Sequence, residues 1–258
     1  MLSWFSSKPV LDEDSIRWLF DTFLWAEQSL EPQLFYQQTS LILPNDEFFP
    51  VAKEQDHFHM AKLILNKVQE YMHLKEIPCK LIEQNACQLE PFQLPTMNLA
   101  IRGQTNLTQN IEQNEDQQLP IPYSPAQIKN PQAMIAYFAQ TLSYFVLLYA
   151  PDKPEDVEEN ILQLSEVLAV FTGFGIIQAN SAFNYHNSSC SSCSSPSNDR
   201  NSYLSQFDIT YALAIFCVIK GIDKSRVLKF IKSNLKTYFK KAYQQVKARH
   251  ELKQFSGY

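Results

Sequence analysis

Residues 133–150, AMIAYFAQTLSYFVLLYA, run eighteen positions without a charged side chain between Pro131 and Pro151. A helix that is apolar nearly all round must lie inside a protein core or a bilayer. Gln140, Thr141, Ser143 and three tyrosines interrupt the apolarity, and prolines rather than basic anchors flank it. The expectation is therefore a buried helix and no membrane span. A chain of 258 residues, 45% hydrophobic and 19% charged, has enough apolar surface to build that core, which excludes a disordered polypeptide. With only five glycines and no fixed-period repeat, collagen-like, propeller and Gly-rich phosphate-loop designs are excluded too.

Helical spacing of apolar residues recurs on both sides of this run. Ile16, Leu19, Phe20, Phe23 and Leu24 predict a first helix, capped by Asp14 or Ser15 and ended before Pro32. Residues 39–50 read as a short β-like start and a proline-bounded turn. Phe58, Ala61, Leu63, Ile64, Val68 and Tyr71 predict a second helix over 56–72. CKLIE and MNLAIRG, between 79 and 104, are candidate strands. The buried helix comes third, over 131–149. A fourth is expected over 155–183, where Gly173 and Gly175 imply close backbone packing or a kink. Further helices are expected over 207–218 and, as one long element, over 225–250. The polar stretches 104–120 and 187–202 read as exposed loops. The fold class expected is α+β, a helix-dominated single domain over 1–258 with a small sheet inserted before the central helix.

Charge is unevenly divided. Residues 220–258 carry eleven Lys and Arg against Asp223 and Glu251, a balance of +9, and the preceding residues balance to −14. Attraction to the chain's own acidic body accounts for such a tail without a partner. Anion or nucleic-acid binding is the alternative, but nine lysines against two arginines favour a solvated face over phosphate recognition. The five cysteines are an odd count, and the opening MLSWFSSKPVLDEDS lacks the basic and apolar regions of a signal peptide. Free thiols and a cytoplasmic location are the expectation.

The third and fourth helices carry the most specific pattern. NPQAMIAYFAQTLSYFVLL and ILQLSEVLAVFTGFGIIQANSAF, with LPNDEFFP, the IPC stretch at 77–79 and YALAIF at 211–216, resemble a family of bacterial zincin-like proteins built like thermolysin-class metallopeptidases. That family carries H-E-L-A-H on one helix and E-x-L-T-D on the next. Two histidines at i and i+4 bind Zn²⁺ through neutral imidazoles, the intervening Glu takes a proton from metal-bound water, and a Glu on the second helix completes the site. The resemblance implies a degenerate site here, with QTLSY in place of HELAH. Gln140 and Tyr144 stand at the histidine positions, Thr141 at the general base and Leu162 at the third ligand. Glu166, at the position that orients a ligand from behind, is the one acid kept. Neither Gln nor Tyr replaces imidazole well, and Leu cannot ligate.

The resemblance thus implies a non-catalytic scaffold, an interaction or regulatory protein with an unidentified protein partner and no cofactor. A plain core helix, its hydroxyls bonded to its own backbone, is the simpler reading of QTLSY. Two enzymatic alternatives remain: a displaced metal site, or metal-free acid–base work by Glu166, Tyr144 and Thr141. His186, Cys190 and Cys193 form an H-x3-C-x2-C string whose C-x2-C pair is half of a structural zinc site, although two oxidisable thiols in a loop account for it better. His57 and His59 suit a helix start, and His73 and His250 suit helix ends.

Overall fold

The computed structural model describes residues 9–30, 32–50, 56–83, 118–150, 152–182 and 202–257. Nine α-helices occur among them: α1 (Glu13–Ser29), α2 (Pro32–Gln37), α3 (His57–Tyr71), α4 (Pro131–Tyr149), α5 (Val157–Ala169), α6 (Gly175–Ser181), α7 (Gln206–Ile219), α8 (Lys224–Leu228) and α9 (Ser233–Lys247). Two strands, β1 (Cys79–Glu83) and β2 (Leu119–Tyr123), pair in parallel with Cys79 opposite Leu119 and Glu83 opposite Tyr123. The protein is mostly helical with a small sheet ahead of α4, an α+β arrangement.

Helix starts follow local chemistry. Asp12, two residues earlier than expected, caps α1 by accepting from Ser15 N at 2.8 Å, which leaves Glu13 and Asp14 in the first turn, where the helix dipole favours acids. Asp56 caps α3 through His59 N, and Asn130 caps α4 with Pro131 in its first turn. At α3's far end His73 takes the left-handed conformation (φ 56°) that closes the helix. The expected start in 39–43 is extended but pairs with no strand among the described residues; MNLAIRG lies outside them.

β2 begins inside the stretch expected to be an exposed polar loop. Leu119 is fully buried, and Leu119 N donates to Pro78 O at 2.8 Å. Pro120 and Pro122 lack an N–H, and alternate residues of a strand direct their N–H groups the same way. The two prolines therefore leave β2 without donors along the edge away from β1, and that edge cannot be extended by a regular ladder. Prolines also hid this strand in the sequence. Residues 104–117 and 187–201 lie outside the described residues, and Ser202 is half-buried rather than exposed.

Residues 157–181 form one nearly continuous helical run, broken by a π turn at Val170–Phe174. It lies between two apolar clusters. Phe23, Phe35, Leu164, Phe171, Phe216 and Phe239 belong to the first, built on α1, α5, α7 and α9. Leu65, Val68, Ile121, Phe138, Leu142, Phe174 and Ile177 belong to the second, built on α3, β2 and α4. This run, and not 133–150, is long and apolar enough to cross a membrane by length and composition, and 78% of its most apolar window is buried inside the protein, as in a core helix.

The expected long C-terminal helix is broken. α8 and α9 are separated at 229–232, where Asn180 of α6 receives Lys232 N on Oδ1 (2.8 Å) and donates Nδ2 to Phe230 O (3.0 Å). One buried amide thus satisfies a donor and an acceptor that the break would leave unmade. The segment docks through Ile231, Leu235, Phe239, Ala242 and Val246. Its attachment is apolar rather than the expected charge attraction. Arg249 pairs with Glu13 at 2.7 Å, while Lys229, Lys236, Lys240, Lys241 and Lys253 have no carboxylate partner among the described residues.

Gly173 has φ +102°, and a Cβ there would stand 2.1 Å from Ser40 O. Gly221 also has positive φ (+63°) but faces open space. Urea unfolding of Gly173→Ala is expected to show a loss of about 3 kcal/mol or more, from strain and backbone collision together, while Gly221→Ala loses only about 1 kcal/mol from strain alone.

Candidate functional site

α4 packs alongside α5, as a two-helix site requires. Gln140 is buried on the face of α4 that also carries Ala136, whose carbonyl accepts from Gln178 Nε2 of α6 at 3.0 Å. Tyr144, one turn further on, and Thr141, the next position around the helix, are half-buried. Thr141 Oγ1 donates to Tyr137 O at 2.9 Å, which is the simple core-helix behaviour for that hydroxyl. Ser143, by contrast, is fully buried with its Oγ unpartnered. Tyr144 stands edge-on to Phe145, ring centroids 5.8 Å apart. Leu162 of α5 is 37% exposed.

Glu166 is the residue whose surroundings are most informative. It is fully buried. Oε1 accepts from Ser202 Oγ (2.9 Å) and Tyr203 N (3.3 Å), and Oε2 from Leu204 N (2.8 Å) and Ser202 Oγ (3.0 Å). A buried carboxylate is tolerated when donors surround it in this way. The carboxylate holds residues 202–204 in place just before Ser205, which opens α7 with a capping box closed by Asp208. On α4, burial raises the phenol pKa of Tyr137, against the lowering effect of a side-chain hydrogen bond with Thr141 and with a smaller upward contribution from Tyr203. Nothing in the sequence linked Ser202, Tyr203 and Leu204 to Glu166. The one signal was a carboxylate set in the otherwise apolar stretch 164–171, which demands a partner without naming it.

Among the described residues no group of three or more His, Cys, Asp or Glu side chains is placed to hold a metal ion. His186, Cys190, Cys193 and Cys87 lie outside those residues. Cys79 and Cys217 are free thiols. Burial pushes Cys79 up to about 12 and raises Cys217 as well, so both are protonated and poor nucleophiles at neutral pH. His57 and His59 sit exposed at the start of α3, and His250 pairs with Glu251 on the surface.

The chain matches no known family, no curated protein and no solved structure.

Glu166→Gln presents an amide group that cannot accept from all the donors now engaged. The variant is expected to lose about 1–3 kcal/mol in equilibrium urea unfolding, because a donor that now meets the buried carboxylate, Ser202 Oγ or the partly buried amides at 203 and 204, goes unpaired. A variant as stable as wild type would mean that the carboxylate is not needed for the fold.

Proposed function

We propose that this chain is a non-catalytic protein on a zincin-like scaffold, acting in the cytoplasm through contact with a protein partner and using no resident metal. The observation that carries this reading is the engagement of Glu166. A general acid or base must reach a substrate, whereas this carboxylate is sealed from solvent and surrounded by donors from 202–204. The acid–base alternative loses its only carboxylate on that account. Thr141, whose hydroxyl is turned back to Tyr137 O, gives it no support. The side-by-side packing of α4 and α5 supports the scaffold.

Zinc titration tests both parts, with Cys190 and Cys193 changed to Ser throughout so that their loop is silent. The otherwise wild-type protein is expected to take up no stoichiometric zinc. The added triple change Gln140→His, Tyr144→His and Leu162→Glu is expected to create a site, since i and i+4 share a helix face and the exposed position 162 accepts a carboxylate without a burial cost. Zinc bound by the otherwise wild-type protein and lost on Gln140→Ala would favour a metallohydrolase. A folded triple variant that binds no zinc would remove the zincin-like register.

The lysines of α8 and α9 favour a second reading, an anion-binding surface. Lys236 and Lys240 lie one turn apart on α9 without carboxylate partners among the described residues. If this face binds polyanions, retention on a heparin column is expected to fall steeply with salt and to be lost in Lys236→Gln/Lys240→Gln/Lys241→Gln. Equal retention of that variant would discard the reading.

A further inference from the structure

Glu13, Phe20 and Glu27 recur every seven residues on α1 and so share one stripe of that helix. The segment that follows α9 meets all three. Arg249 holds Glu13 through both terminal nitrogens (3.2 and 2.7 Å), the Phe255 ring packs on Phe20 with centroids 6.4 Å apart, and Ser256 donates its N–H (2.9 Å) and its hydroxyl to Glu27 Oε1. Between these contacts runs a 3₁₀ turn (His250–Gln254) whose Leu252, three residues before Phe255, is buried with it in the first apolar cluster. Gly257 then lies against the ring of Tyr36 on α2.

The receiving side is built for donors. Glu27 is 2% exposed and sits in the last turn of α1, where the helix dipole disfavours an acid. Among the described residues no basic side chain pairs with it; its partners are Ser256 and the Tyr36 hydroxyl (2.7 Å). A buried carboxylate of this kind discriminates sharply between a segment that brings an N–H and a hydroxyl and one that does not. Tyr36 adds a size limit. A Cβ at 257 would stand 2.2 Å from its ring, which the bond to Glu27 and the edge-on packing on Phe35 (5.0 Å) hold in place. The groove thus reads three successive positions: an aromatic ring, a hydroxyl and a residue without a side chain. Lys253, Gln254, Ser256 and Gly257 are themselves exposed, and within 250–257 only Leu252 and Phe255 are anchored in the core, the sparse attachment of an element that opens short of global unfolding.

We propose that α1 and α2 form a peptide groove which the protein's own residues 249–257 occupy as an autoinhibitory strap, and that the protein partner enters it with a segment of the same chemistry, an aromatic residue followed by a hydroxyl residue and a glycine. Resting on the reading that the chain works through a protein partner, this gives that contact a place and a chemistry. Strap and partner compete, so the groove is available only in the fraction of molecules whose strap is open.

Full-length Phe255→Ala, titrated with a fluorescent synthetic peptide of residues 250–258, HELKQFSGY, tests this by anisotropy. The shortened side chain loosens the strap, so the variant is expected to bind the peptide saturably and about tenfold or more tighter than wild type does. Gly257→Ala within the peptide, or Glu27→Gln added to the protein, weakens that binding about tenfold or more. A folded Phe255→Ala variant that ignores the peptide, or binds it no better than wild type, overturns the proposal and leaves the scaffold tested by zinc titration untouched. If that variant does not fold, amide exchange of the wild-type protein decides. Ser256 N–H is then expected to exchange about tenfold or more faster than the α7 core amides, through an opening that keeps those amides protected. Exchange at the rate of the α7 core would mean that no strap opens.

Discussion

A close backbone contact sits where the two apolar clusters meet. Gly173 O accepts from Ile42 N at 3.0 Å, and the extended segment through Ser40 passes so close that no side chain fits at 173. Along that segment side chains alternate: Leu41 and Leu43 enter the first apolar cluster while Ile42 enters the second. The run 157–181 does the same with helical period, sending Phe171 to one cluster and Phe174 to the other. The π turn that brings Gly173 against Ser40 is thus where the chain registers one core against the other, and its irregular geometry is accounted for by the contact it makes.

Buried polar side chains follow one rule throughout the molecule. Asn180 closes the break between α8 and α9, and Gln69 Nε2 donates to Ile77 O (2.8 Å) to shape the turn into β1. Buried Glu27 takes Tyr36 Oη (2.7 Å) and Ser256 N, binding the chain's last residues to α1 and α2, and with burial this pushes the Tyr36 phenol up to about 12. Glu166 belongs to the same series. Each group fixes irregular backbone that helices and strands leave unsatisfied. In that company Glu166 is a structural tie.

The sequence made α3 and α4 legible because apolar period and cap residues agreed; α4 occupies the expected 131–149. Gly173 and Gly175 announced both close packing and a kink, and both are present. β2 was hidden because LPIPY contradicts strand propensity, and only a one-sided edge makes its prolines acceptable. The break at 229–232 was hidden because the apolar stripe continues across it, while the group that stabilises the break, Asn180, lies some fifty residues away. The candidate site was legible as two packed helices and as one buried acid. Its actual partners, 202–204, are a tertiary pairing that no local spacing encodes.

Amide hydrogen exchange at Leu204, followed by NMR under native conditions, tests the structural role of Glu166 most directly. Leu204 lies before α7 and has no helical hydrogen bond of its own to shield it. If the Glu166 carboxylate holds this amide at 2.8 Å inside the fold, exchange should require large-scale opening and match the protection of the α7 core amides. Exchange at the rate of an exposed loop amide would mean that the carboxylate is free in solution, and would return Glu166 to the list of groups able to do chemistry.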